Sequence, residues 1–177
     1  VQQRCSHCGG PMKTIGTGTQ KVQQELLDLY PELSCERMDA DTVSATNTHE
    51  RILERFSKQR IPVLIGTQMV AKGLNLPDVT LVGVMDADLS LFNSSFRAAE
   101  TTFDMLTQVV GRAGRGDAAG RAIIQTLMPE HQVIRLAAAQ DYDGFYNLEI
   151  QLRRVQGAPP FGDYAIVTFL GQDEKNV

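Results

Sequence analysis

The chain is 177 residues long, 42% hydrophobic and 21% charged, with a formal net charge of −4. This size and balance predict one sizeable soluble domain plus additional segments, without internal repeats or low-complexity tracts. They leave out a membrane span, because no run of about 18 apolar residues occurs, and a secretory leader, because no charged segment with an apolar core opens the chain.

The start at Val1, with no initiating Met, reads as a fragment, and the cytoplasm is the expected compartment. In chain order, Cys5 to Pro11 reads as a knuckle-like turn, Met12–Ile15 as a short strand and Gly16–Thr19 as a loop. Val22, Leu26, Leu27, Leu29 and Tyr30 recur at helical spacing, and Pro31 ends that run. Cys35–Met38 is a short strand, and Asp39–Asn47 is polar and loop-like. Asn47 or Thr48 can cap a helix with Ile52, Leu53 and Phe56 on one face.

Ile61–Ile65 and Val79–Met85 are apolar, β-branched runs of the kind found in buried parallel strands. A helix is expected over about Phe96–Arg115, with Gly116 as its stop. Arg121–Leu127 reads as a strand, and His131–Ala139 and Tyr142–Gln156 as helices. The break Gly157-Ala-Pro-Pro160 is the expected domain boundary, and a new strand should start over Tyr164–Leu170. Alternating strands and helices predict an α/β domain with a mostly parallel sheet.

The most informative stretch runs from Gln108 to Arg115, with the pattern Q-x-x-G-R-x-G-R. On a helix, Gln108, Arg112 and Arg115 share one face. Gly111 and Gly114 would together cost roughly 2 kcal/mol in a helix interior, so packing or function must offset them. Two planar, permanently charged guanidiniums suit phosphate oxygens. The plainer alternative is a solvated basic face.

Upstream, Val63–Gly66 ends in Thr67, followed by Ala71-Lys-Gly73-Leu-Asn75. A buried strand ending in Gly-Thr presents amides and a hydroxyl at the sheet edge where open α/β sheets bind ligands. An ordinary strand-to-loop turn is the alternative. Gly16-Thr-Gly-Thr-Gln20 lacks the Lys-Ser/Thr ending of a Walker A loop, though amides opening a helix can still hold phosphate. It can equally be a plain loop. Asp86-Ala-Asp88 reads as the polar end of a strand rather than a magnesium site.

Cys5 and Cys8 have the spacing of half a tetrahedral thiolate zinc site, and a reducing compartment favours metal over disulfide. A redox dithiol is the alternative. Cys35 makes the cysteine count odd and reads as a buried strand residue. The acidic net charge argues weakly against nucleic acid, but one basic groove is enough to engage phosphates.

The arginine pattern resembles the sixth motif of superfamily 2 helicases, and Gly66-Thr-Gln-Met-Val-Ala-Lys-Gly73 resembles their fifth. Arg37-Met-Asp-Ala-Asp-Thr42, Asp86-Ala-Asp88, Phe96-Arg97, Glu100 and Pro159-Pro160-Phe161 narrow the resemblance, over essentially the whole chain, to the PriA family of replication-restart DNA helicases. The resemblance implies a RecA-like second helicase lobe over 11–157. Residues 1–10 would end a zinc-binding insertion, and 158–177 would begin a truncated C-terminal domain.

It further implies that Arg112 and Arg115 act as arginine fingers on Mg2+-bound ATP held mainly by the other lobe, with Gln108 near the γ-phosphate or the attacking water. Thr67 would grip a DNA phosphate, Thr17 or Thr19 would lie near another, and Gly73 and Asn75 would approach the nucleotide ribose. The family often has Asp where this chain has Asn75. Cys5 and Cys8 would be the last pair of Zn2+ ligands, with their partners elsewhere in the parent protein. Forked DNA, single-strand-binding protein and other primosome proteins are the implied partners.

Two rival readings remain at this point. A non-catalytic zinc-ribbon module explains the cysteines but not the spaced Gln and arginines. Another superfamily 2 motor, acting on RNA or reversing forks, would share the arginine motif, because phosphate contacts carry no sequence information.

Overall fold

The computed structural model describes residues 18–39, 48–67, 78–111, 113 and 120–165, with backbone alone for Thr48 and His49. Within them, helices flank two pairs of parallel strands. The α/β class follows as expected from the alternating pattern. The expected Met12–Ile15 strand and the cysteine knuckle lie outside the described residues.

Helix α1 spans Thr19–Leu29 and β1 spans Cys35–Met38. Val22, Gln23, Leu26 and Leu27 form the inward side of α1, as the helical spacing requires. The Gln23 amide lies 3.5 Å from the Cys35 sulfur, tying α1 to β1. Cys35 is half-buried in its strand, less enclosed than the sequence implied. Helix α2, Thr48–Lys58, packs on β1 with Ile52 buried and Leu53 and Phe56 half-buried. Met38, Ile52 and Ile65 are the buried apolar residues of this half.

Strand β2 is Val63–Gly66, parallel to β1 with Cys35 opposite Val63 and Met38 opposite Gly66. The expected strand began two residues earlier, at Ile61. The physical reason is the end of α2. Arg60 adopts a left-handed φ of 50°, its amide bonds to the Ser57 carbonyl, and the Ile61 amide returns to the Phe56 carbonyl. This is a Schellman cap, so Ile61 closes the helix instead of opening the strand.

The second half is built on β3, Leu81–Val84, and β4, Arg121–Ile124, paired in parallel with Leu81 opposite Arg121. Helix α3 spans Ala98–Val110, α4 spans Gln132–Ala138 and α5 spans Tyr142–Gln156. Their shared core is Ala87, Phe103, Leu106, Val133, Ile134, Ala137 and Phe145. On α3, Phe103 and Leu106 repeat at the three-residue spacing that lines one helix face.

Four elements differ from their expected extents. Strand β3 ends at Val84 because Asp86 turns into the left-handed region at φ 50° and leads into a 3₁₀ turn at Ala87–Ser90. Strand β4 ends at Ile124, and Leu127, expected inside it, is 89% exposed with its amide bonded to Asp88. Helix α3 ends at Val110, five residues short of Arg115. Gly111 caps it and Ala113 lies in a turn, consistent with the low helix propensity of glycine. Tyr164 and Ala165 are not in a strand, and the rest of that expected element lies outside the described residues.

Asp88 is the polar link of this half. It is 5% exposed, and its carboxylate accepts from the Thr126 hydroxyl and, at 2.7 Å, from the Leu127 amide. Burial pushes its pKa up, but the Thr126 hydroxyl and backbone amides outweigh that and hold it below the ordinary 3.8. A depressed carboxylate stabilises the fold above its unfolded-state pKa and loses that contribution as pH falls through the folded-state value. Asp88→Ala is therefore expected to cost about 1–2 kcal/mol near neutral pH, through the lost bonds to part-buried donors. Urea unfolding across pH should show the gap to the parent narrowing below the ordinary 3.8.

Candidate functional site

Parallel register places three separate segments at one sheet edge. Met38 lies opposite Gly66, so Asp39 and Thr67 emerge side by side beyond the carboxyl ends of β1 and β2. Thr19, the first residue of α1, donates its hydroxyl proton to the Asp39 carboxylate. Arg37 Nε lies 3.4 Å from the same carboxylate. Asp39 is buried and Thr67 is exposed. The edge thus offers an exposed hydroxyl at the end of β2 and, at the end of β1, a buried acid that holds the opening turn of α1.

This arrangement refines what each residue can do. A hydroxyl has one proton, and that of Thr19 is given to Asp39. An anion at this edge would therefore meet the amide end of α1 and the Thr67 hydroxyl more readily than a proton from Thr19. Asp39 is the organiser that sequence reasoning passed over. It stood in Arg37-x-Asp39 only as a family marker, and its bond to Thr19, 20 residues earlier, shows only in the fold.

Gln108 is exposed in the last turn of α3. The helix end beneath it is braced from the turn between α4 and α5. Gln140, itself at a left-handed φ of 55°, donates its side-chain amide to the Thr107 carbonyl at 3.4 Å. A Cβ built on Gly111 would stand 3.1 Å from that Gln140 nitrogen. The glycine thus leaves room for the Gln140 amide at the end of the helix. Thr107 adds a bond from its own hydroxyl to the Phe103 carbonyl at 2.8 Å.

Thr19, through Asp39, and Thr67 both lie toward the β1–β2 edge, whereas Gln108 belongs to the second half of the fold. The remaining candidates, Cys5, Cys8, Thr17, Gly73, Asn75, Arg112 and Arg115, lie outside the described residues. Asp88 is committed to Thr126 and Leu127, and among the described residues no group of three His, Cys, Asp or Glu side chains could hold a metal ion. No helix among the described residues is long and apolar enough to cross a membrane.

A second network went unseen in the sequence. Arg153 of α5 bonds Glu100 of α3 at 2.7 Å and Glu149 at 2.9 Å. The Glu149–Arg153 pair has the four-residue helical spacing and was readable, but Glu100, 53 residues away, was not.

Residues 10–117 match the family described as helicase conserved C-terminal domain. The chain is 46% identical over 169 residues to the replication restart protein PriA of Bacillus subtilis, covering 95% of this chain and 21% of the relative. It is 41% identical over 174 residues to that of Synechocystis, covering 98% and 21%. For that of Chlamydia pneumoniae the figures are 39% over 177 residues, covering 99% and 24%. The chain therefore spans between a fifth and a quarter of the length of these relatives. The matched stretch takes in both strands of the Asp39–Thr67 edge and the whole of α3, and by it the chain belongs to the helicase conserved C-terminal domain family, with its likeness running to the lobe carried by PriA proteins.

Proposed function

We propose that this chain is the second motor lobe of an ATP-dependent DNA helicase that remodels stalled forks and restarts replication. The observation that carries this reading is the Thr19–Asp39 bond just past β1, with the register that ends β2 at Gly66, next to Thr67, on the same edge. Three segments far apart in sequence form one place able to hold a backbone phosphate, in a chain of the helicase family. Thr67 grips the DNA strand there, and the amide end of α1, with Thr17 and Thr19, lines the same track.

The ATP site is shared with a lobe that this chain does not contain. The sequence has no Walker A loop, and its proposed nucleotide-directed groups are Gln108, Arg112, Arg115, Gly73 and Asn75. Their donor chemistry fits a phosphate tail and a ribose. Gln108 stands exposed at the end of a braced helix, and the arginines that follow carry fixed charge and planar forks. When bound, Mg2+-ATP supplies the transferring phosphoryl group. The arginines neutralise its developing charge, and Gln108 orients the water or the γ-phosphate oxygens.

Cys5 and Cys8 supply two thiolates, half of a tetrahedral zinc set, so Zn2+ needs further ligands from elsewhere in the parent protein. Its role there is to hold structure. Single-strand-binding protein and primosome components are the proposed partners, and the cytoplasm the proposed compartment.

The division of the ATP site gives the test. The isolated chain should show no ATP turnover above a contaminant control, with or without forked DNA, whereas the full-length protein should turn over ATP and be stimulated by the fork. Hydrolysis by the purified chain would overturn the shared-site reading.

A further inference from the structure

The side chain of Arg153 joins three parts of the second half. It is 14% exposed. Nη2 bonds Glu100 in the first turn of α3 at 2.7 Å, Nε bonds Glu149 on α5 at 2.9 Å, and Nη1 donates to the Pro159 carbonyl at 3.3 Å. The guanidinium lies 5.4 Å from the centre of the Phe96 ring, and Phe96 meets the Tyr164 ring edge-on at 5.4 Å. The backbone of the same residue closes α5. Gly157 takes φ 63°, and the Ala158 amide bonds to the Arg153 carbonyl at 2.8 Å. The segment 158–164 is thus turned back onto α3 by both ends of one residue.

Burial opposes the charge on Arg153, but Glu100 and Glu149 outweigh it, so the guanidinium stays charged. A partly buried arginine with two carboxylates, a carbonyl and a ring is a directional joint, because its planar fork fixes the angles between its partners. Helix α3 is a stiff rod of about 15 Å from this joint at Glu100 to Val110. Its far end carries Gln108 and leads to Arg112 and Arg115.

We infer that Arg153 is a positioning residue that couples the segment following α5 to the nucleotide-directed end of α3. A change in the seating of Tyr164 is passed through Phe96 and Arg153 to Glu100, and so along the helix. This rests on the proposed role of Arg112 and Arg115. It adds a route by which the C-terminal part of the protein sets ATP turnover without touching nucleotide.

The test uses the full-length protein on forked DNA, with kcat and KM for ATP, DNA affinity and thermal midpoint measured for each variant. Arg153→Gln is expected to lower DNA-stimulated kcat about fivefold, with DNA affinity held. Tyr164 is 53% exposed, so its truncation disturbs little buried structure. Tyr164→Ala should lower kcat in the same direction, and Tyr164→Phe, which keeps the ring, should restore it. A purely structural role would lower the thermal midpoint without this ring-dependent split.

The inference is overturned if Tyr164→Ala and Tyr164→Phe have equal kcat, or if Arg153→Gln folds and stays within twofold of the parent. Should Arg153→Gln fail to fold, the Tyr164 pair decides alone. Arg115→Ala is run alongside. If it leaves turnover intact, the arginine-finger reading fails, and that failure is distinct from a failure of the Arg153 joint in a protein where Arg115→Ala is inactive.

Discussion

Arg115→Ala in the full-length protein is expected to lower DNA-stimulated ATP hydrolysis by about 10³-fold or more, with DNA affinity preserved. The size follows from where the charge acts. Phosphoryl transfer leaves the protein little covalent work, so positioning and charge stabilisation dominate the rate. A guanidinium that reaches the phosphoryl oxygens only when the lobes close contributes to the transition state and little to the ground state. Its loss should therefore appear in kcat more than in KM for ATP. Arg115→Lys should recover little, because an ammonium keeps the charge but not the bidentate fork.

DNA affinity is the control that gives the result meaning. The proposed strand contacts, Thr67 and the start of α1, sit at the β1–β2 edge, on the other half of the fold from α3. A loss of both turnover and DNA affinity would point to misfolding or to a DNA contact by Arg115. Unchanged turnover would make the arginine motif structural and restore weight to a non-catalytic zinc-ribbon module.

The elements that were legible in sequence are those whose stop signals are carried by residue type. Pro31 closes α1, and Gly157 closes α5 in the left-handed conformation that glycine adopts at little cost. The ends of α2 and α4 use the same cap geometry with Arg60 and Gln140 in that place, at a cost of roughly 1 kcal/mol each. No residue-type signal marks such a cap, which is why β2 was expected two residues early. Long-range pairing was equally hidden. Thr126 with Asp88 and Glu100 with Arg153 join residues 38 and 53 positions apart, and no periodicity encodes them. At the candidate site, Thr67 and Thr19 stood out in the sequence because they resemble helicase motif positions, while the bond of Asp39 to Thr19, 20 residues away, needed the fold.

Phe103→Ala should be the most destabilising single truncation in the α3 core, costing about 3–5 kcal/mol. The ring is 2% exposed and stacks on Phe145 with centroids 4.1 Å apart and planes 8° from parallel, and Tyr142 leans on it at 6.3 Å. Its removal opens a cavity where α3 meets α4 and α5, among Leu106, Val133, Ile134 and Ala137. A domain with a typical total stability of about 5–15 kcal/mol would lose a large part of it. The thermal midpoint should fall on the order of 10 °C, and Phe103→Leu, which keeps most of the volume, should fall by much less. The same truncation loosens the helix end that Thr107 and Gln140 brace, so at temperatures where the variant stays folded, ATP turnover should fall further than DNA binding. Equal losses of the two, measured below the midpoint, would show that α3 does not hold the nucleotide-directed groups in place.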